Sequence, residues 1–486
     1  MNLRPAALFV AAVLLVGCAV GPDHRRPDVE MAADWASADI ETGQPPAAWW
    51  RHFDDPLLTA LVETAARDNL DVRQAAARVA EARAAGRIAD AAGGPRVGTA
   101  VSARREQLST ETAEVAAQFA RQDLIDRRRD FFEAGFDAAF ELDFFGRLRR
   151  QREAATARAV AAQEARRGAL VTVTAEIARN YFALRTTQAR KARTEALLEV
   201  ARGREDLARR RLEDGLGTRD ALRVAEAQVR ARQAEIPGLE ARARALSYAI
   251  ALLTGAPPER WADRLAVPAP LPDLPAMPPA GLRADLLARR PDVRRADAAL
   301  AVQVADVGVA IGERYPRVSL IGATAFQSAD VADVLSPAAV AFTFGPRLVW
   351  PVFRAGELTA NVAAQRARAE AAALAYEGAV LGAVTEVETA LVRAVALSRT
   401  LSERRAAVSA AADASAVASR RVEGGLAARD EALVAQAALA EARLAETVLL
   451  GARAEAAVAV YKALGGGWET LEQVAGPGVP QGVELD

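Results

Sequence analysis

Residues 211–228 read RLEDGLGTRDALRVAEAQ, and residues 421–438 read RVEGGLAARDEALVAQAA. Gly215 matches Gly425 and Arg219-Asp220 matches Arg429-Asp430, both 210 positions apart. Glu176 matches Glu386 and Gly255 matches Gly465 at the same spacing. An ungapped match of this length makes the chain two copies of one unit. Nearer the N-terminus, LDVRQA at 70–75 recurs as PDVRRA at 291–296, and PRV at Pro95 recurs at Pro316, now 221 positions apart. The change of spacing places extra residues in the first copy ahead of Phe136.

Each copy has the same order of elements. A helix is expected over 71–92 and over 284–313, followed by a strand over 97–104 and over 318–326. After a loop comes a second strand, 136–144 or 342–350, and then a long helix, 148–213 or 358–423. Turns carrying Gly215 and Gly217, or Gly424 and Gly425, end the long helix, and a return helix reaches Gly255 or Gly465. No proline interrupts either long helix, so each spans on the order of 100 Å at about 1.5 Å per residue. That length suits a coiled coil or a helical tube, and the helices alone fit both. The divisions expected are a leader at 1–17, a lipidated tether at 18–55, and the first repeat at 56–255. A Pro-rich linker at 256–280, the second repeat at 281–466 and a tail at 467–486 complete the chain.

The strands separate the two readings. Phe136, Ala138, Phe140, Leu142 and Phe144 alternate with Asp137, Ala139, Glu141 and Asp143. In the second copy Phe342, Phe344, Leu348 and Trp350 alternate with Thr343, Gly345 and Arg347. A single half-buried soluble strand gives the same period of two. Four such strands at repeated positions behind an export leader instead suit a wall with lipid outside and water inside. Asp137, Glu141, Asp143, Thr343 and Arg347 are then the candidate lumen residues. No apolar run of 18 or more follows the leader, so a membrane crossing has to be a closed barrel. Four strands close no pore; three copies supply twelve, and cyclic symmetry closes a ring.

The leader carries Arg4 and a short apolar stretch, as a secretory signal does. Leu15-Val16-Gly17-Cys18 resembles the bacterial lipobox, with Cys18 the chain's sole cysteine and the expected site of lipidation. An ordinary signal with an incidental cysteine is the alternative. Ala19, rather than Asp, after the cysteine favours delivery to the outer membrane. His24 and His52 are the only histidines, and Lys191 and Lys462 the only lysines. This leaves little from which to build a catalytic triad, a metal centre or a phosphate-binding loop. No cofactor is expected. With 62 basic and 63 acidic residues, the net charge of −1 argues against nucleic-acid binding by bulk charge.

Several stretches carry a family resemblance. They are CAVGPDHRRP from Cys18, WWRHFDDPLLTALVETA from Trp49, FELDFFGRLRR from Phe140, RPDVRRADAAL from Arg290, YPRVSLIG from Tyr315 and the doubled glycine turns. Together they resemble the TolC-type outer-membrane efflux channels, in the OprM/NodT-like lipoprotein branch. The resemblance implies a homotrimer, mostly α, with a twelve-stranded transmembrane β-barrel continued by a periplasmic α-helical barrel. It implies contact with outer-membrane lipid and a passive exit duct for small molecules. The implied partners are an inner-membrane pump of the resistance-nodulation-division type and a periplasmic adaptor (membrane fusion) protein, met by the glycine-turn tips. A duct for ATP-driven protein secretion is the alternative. An adaptor lipoprotein would show one hairpin splitting a small β module, not two hairpins and four strands.

This chain departs from the family at the second tip. Val422 and Val434 stand where a Tyr and an Asp are usual, while Gln436 is kept. Asp430 is the candidate replacement for the gate, with Asp220 its first-repeat counterpart. Three Asp430 carboxylates near one axis would repel unless Arg429 or Arg219 pairs with them; a solvated tip charge is the bland alternative. The charged stretch 105–130 is expected to be an exposed loop.

Overall fold

The computed structural model describes residues 19–32, 34–36, 46–107, 128–272, 279–281 and 283–476. Cys18 and the leader lie outside the described residues, as do most of the stretch 105–130 and the tail beyond 476. The elements are α1 (Pro56–Asp68), α2 (Leu70–Ala91), β1 (Arg96–Gln107), β2 (Arg128–Leu142), α3 (Arg147–Glu213), α4 (Arg219–Leu253), α5 (Glu259–Ala266), α6 (Asp285–Arg289), α7 (Pro291–Gly312), β3 (Arg317–Ser328), β4 (Val340–Val349), α8 (Glu357–Glu423), α9 (Arg429–Ala463) and α10 (Trp468–Val474). Both long helices run 67 residues and both return helices 35, so the repeat holds in length as well as in order. None of the described helices is long and apolar enough to cross a membrane.

Three expectations need correction. The helix foreseen over 284–313 is two helices, broken at Arg290. That residue is extended (φ −76°, ψ 121°) because Pro291 crowds the α conformation of the residue before it. The second strand of the first hairpin starts at Arg128, not Phe136, and ends at Leu142. Strand pairing therefore reaches into both ends of the stretch expected to be a loop. Arg105 of β1 faces Asp130 of β2 and donates to its carboxylate at 2.6 and 2.7 Å.

The chain forms two compact units. Of the described residues, the first gathers 19–26 and those within Ala82–Ala159 and Ala298–Leu374. It contains one antiparallel sheet in the order β1-β2-β3-β4. The second gathers the described residues within Pro27–Glu81 and Val160–Asp297 and those of 375–476. Its core is anchored by a stretch the sequence had suggested was a tether. Trp49, Trp50 and Phe53 are 0–2% exposed, Trp49 stacks on Tyr461 with ring centroids 5.0 Å apart, and Phe53 meets Phe182 at 4.8 Å. Burying each such side chain contributes about 1.5–3 kcal/mol.

The repeat also governs how the return helices end. A helix leaves its last carbonyls without partners. Asn69 donates through Nδ2 to Leu253 O at 2.8 Å, at the end of α4. Arg290 donates through Nη1 to Ala463 O at 2.6 Å, at the end of α9. The two acceptors are repeat counterparts. Arg290 does more: its Nη2 also reaches Asp292 and Glu386, both at 2.7 Å, so a buried cation ties α7, α8 and α9 together.

Candidate channel wall and hairpin tips

The ladders fix which side chains share a face. Asp137 faces Gly98 and Ala323, and Ala323 faces Thr343. Glu141 faces Ser319, which faces Arg347. Directly opposed residues point to the same side of a sheet, and alternate residues follow them. Four of the expected lumen residues, Asp137, Glu141, Thr343 and Arg347, therefore lie on one face, among Gly98, Ala100, Ser102 and Ala325. The other face carries Val97, Val101, Phe136, Phe140, Leu320, Phe342, Phe344 and Leu348. Val101 and Phe342 are each 81% exposed in the single chain, and Phe344 77%. An exposed apolar face of this size marks an interaction surface.

Asp143, the fifth candidate, lies past the end of β2. Its carboxylate accepts from Leu148 N at 3.0 Å and Arg149 N at 2.7 Å. It caps α3, and its negative charge suits the positive end of the helix dipole. Glu141 is half-buried and accepts from Arg147 Nη2 at 2.8 Å. Asp137, Thr343 and Arg347 are exposed. Among the described strands β1 and β4 each have a single partner, so both outer edges of the sheet are open. In lipid such edges are not tolerated.

The corner where β2 becomes α3 also holds the start of the described chain. Val20 N donates to Phe145 O at 3.1 Å. Arg150, 5% exposed, donates to Val20 O and Gly21 O, each at 3.1 Å, and to Asp23 at 2.9 Å. A Cβ on Gly146 would lie 2.6 Å from Ala19 Cα, and one on Gly21 2.6 Å from Gly308 Cα. Residues 19–23 thus thread a slot that only glycines leave open. No sequence pattern announced this role of Arg150, because Val20, Gly21 and Asp23 lie about 130 positions away and only Glu153, at 2.7 Å, is local.

At the hairpin tips, Gly215 (φ 74°) and Gly425 (φ 71°) are left-handed, and matching backbone bonds close both turns. Leu216 N donates to Arg211 O and Leu426 N to Arg421 O, each at 2.7 Å. This is the glycine-ended helix stop that a Cβ would strain. Gly217 and Gly424 lie in the same turns without a positive φ. Arg219, Asp220 and Arg429 are exposed; the nearest cation to Asp220 is Arg223 at 3.9 Å. Asp430 is half-buried and lines a cavity of about 290 Å³ with Arg204, Arg211 and Gln228. Both arginines of that lining come from the first hairpin.

Known proteins share this arrangement. The profile of the family described as "Outer membrane efflux protein" matches residues 61–256 and 282–466. The solvent efflux pump outer membrane protein SrpC of Pseudomonas putida is 30% identical over 97% of this chain and 100% of its own. Nodulation protein T of Rhizobium leguminosarum bv. trifolii is 29% identical over 78% of this chain and 80% of its own. The solved outer-membrane channel OprN is 33% identical, with a TM-score of 0.84 over 93% of this chain and 100% of that one. Matched in both of its repeats, the chain belongs to the outer membrane efflux protein family.

Proposed function

We propose that the chain is the outer-membrane exit duct of a tripartite efflux pump. Three copies close one barrel and passively conduct small molecules, such as drugs or toxic compounds, to the exterior. An inner-membrane pump of the resistance-nodulation-division type delivers them, joined to the duct by a periplasmic adaptor that meets the tips. The observation carrying this reading is the four-stranded sheet: one face charged and small, the other apolar and exposed, both edges open. Asp137, Glu141, Thr343 and Arg347 line the water, and the apolar face meets outer-membrane lipid. Relatives named for solvent, toluene, antibiotic and cation efflux support a small-molecule cargo. The duct performs no reaction; the pump selects the cargo.

Lipid at Cys18 holds each copy to the membrane. The slot around Ala19–Asp23 supports this, since it ties the residue after the cysteine to the strand–helix corner. Each buried methylene of an acyl chain contributes about 0.8 kcal/mol. Mass spectrometry of the mature N-terminus should find an acylated Cys18 as the first residue. An unmodified cysteine, or a chain beginning elsewhere, removes the anchor.

The gate is electrostatic. At the tips Asp430 of each copy lines one cavity with Arg204 and Arg211, and the closed state depends on the charge balance there. Removing the carboxylate leaves two positive charges in that lining with no acid beside them among its residues. In planar lipid bilayers the purified protein should open discrete channels, and Asp430→Ala should raise single-channel conductance several-fold. Unchanged conductance takes Asp430 out of the gate, and the absence of channels in both proteins contradicts the duct itself.

A further inference from the structure

The charged face of the sheet is not evenly charged. Arg96 faces Ala139, which shares its side of β2 with Asp137 and Glu141. Arg317 faces Val349 and lies two residues from Ser319, which faces both Glu141 and Arg347. Side chains alternate along a strand, so Arg96, Arg317 and Arg347 all lie on this face. They sit in the half of the sheet from which α3 and α8 leave. All three are exposed, and none has a hydrogen bond or ion pair among the described residues. The residues directly opposite them, Ala139, Val349 and Ser319, carry no charge.

Two acids share that half of the face. Glu141 already accepts from Arg147, which leaves Asp137 to offset three arginines. Two cations are therefore in excess in each copy. The other half is balanced: Arg104 pairs with Glu106 at 3.2 Å, and Arg129 and Glu133 offset each other in sign. The repeat shows how the imbalance arises. Arg96 and Arg317 are counterparts 221 positions apart, so each hairpin carries an arginine at the start of its first strand. Asp137 and Arg347 are counterparts 210 positions apart, so an acid of the first hairpin is a base in the second. The counterpart of Glu141 is Pro351, past the end of β4. The charged face of the second hairpin thus holds two cations and no acid.

We infer that these arginines form a positively charged collar inside the duct that binds small anions and favours cargo bearing a carboxylate, sulfonate or phosphate group. The inference rests on the proposed duct, in which three copies bring their arginines into one band of the wall. From Arg317 to Arg96 the band is four residues deep, about 13 Å along the strands. It lies where the barrel receives the passage from the helices. A guanidinium keeps its charge at any physiological pH and offers a planar fork of donors that matches a two-oxygen anion. Small neighbours on the same face, Gly98, Ala323, Thr343 and Gly345, leave the forks uncovered. One such contact in water is weak. Many fixed cations around one water-filled passage with low-dielectric walls raise the local concentration of anions, and rings of arginine select anions in pores.

Reversal potentials of the purified full-length protein in planar lipid bilayers test the collar. Under a gradient of potassium chloride near 0.1 M the charges are screened only beyond about 10 Å. Arg96→Gln, Arg317→Gln and Arg347→Gln combined should lower the ratio of chloride to potassium permeability about three-fold or more. Asp137→Asn should raise that ratio. Near 1 M salt, where screening sets in at about 3 Å, both differences should shrink. Inorganic tripolyphosphate is the second probe: it should cause transient closures of wild-type channels that are lost in the triple variant. The wild-type response decides the matter should the triple variant fail to insert. Equal reversal potentials in wild type and triple variant, or wild-type channels indifferent to tripolyphosphate, overturn the collar and leave the duct standing. A wild-type protein that opens no channels contradicts the duct, and the collar falls with it.

Discussion

Arg290→Ala is expected to destabilise the protein by about 3 kcal/mol, the upper end of the cost of leaving a buried hydrogen-bonding group unmet, since the arginine is buried while both carboxylates stay half-exposed. Arg290 is 7% exposed, and its guanidinium has three obligations: the Ala463 carbonyl, Asp292 and Glu386. Without it the end of α9 loses its donor, and Asp292 and Glu386 lose their shared cation. Arg290→Lys keeps the charge but not the fork that reaches all three, so an intermediate loss is expected. Asn69→Ala is the control from the first repeat. It removes a neutral cap with bonds to Asp71 N, Val72 N and Leu253 O, and should cost only about 1–2 kcal/mol. Apparent melting temperatures of the three purified variants should rank in that order.

The same cluster sets a pH dependence. Burial pushes the Asp292 carboxyl up, but the hydrogen bonds and charge of Arg290 outweigh it and hold the group below the usual carboxylate range. A depressed value in the folded state contributes stability above the ordinary aspartate range and loses it as pH falls through the folded value. The wild type should therefore lose stability more steeply than Arg290→Ala below about pH 4. Parallel acid limbs would show that the pair does not titrate with folding.

The second large effect is expected at Gly135→Val, which should abolish assembly of the barrel. The added side chain would start 2.5 Å from Ala325 Cβ and 2.6 Å from Thr324 O, part of the neighbouring strand's backbone. Neither atom can swing away, so β2 and β3 have to part. Gly98→Val is the contrast: the three atoms nearest its Cβ all belong to the Asp137 carboxylate, the nearest at 2.7 Å, the free end of an exposed side chain. The amount of folded protein recovered from outer membranes should fall more than about ten-fold for Gly135→Val and little for Gly98→Val; overpacking that merely displaces side chains costs about 1–3 kcal/mol. Equal recovery would mean that the seam tolerates separation.

The sequence repeat and the strand ladder turn out to be the same fact. The spacing of 221 that links the two PRV stretches also links Arg96 to Arg317, and the spacing of 210 that links the tips also links Ala139 to Val349. Period-two alternation placed Asp137, Glu141, Thr343 and Arg347 on one face because a pleated strand has no other option. The strand ends were less legible. Arg128–Asp130 read as loop because charge alone does not show that Asp130 has Arg105 opposite it. Asp143 read as strand because its role as a cap depends on where α3 begins. The break at Arg290 was written in Pro291, but Arg290's role was not, since Ala463 and Glu386 are brought to it only by the fold. The tips show the same division. Gly215 and Gly425 were legible as helix stops, whereas the cavity that Asp430 shares with Arg204 and Arg211 was not, because those arginines belong to the other hairpin.

The most direct measurement is an image of the purified particle in detergent or lipid at a resolution that separates strands. Three copies should surround one open passage, with twelve strands closed into a cylinder and no free sheet edge. A single chain, or an assembly in which β1 and β4 stay unpaired and no passage runs through the sheet, would contradict the account.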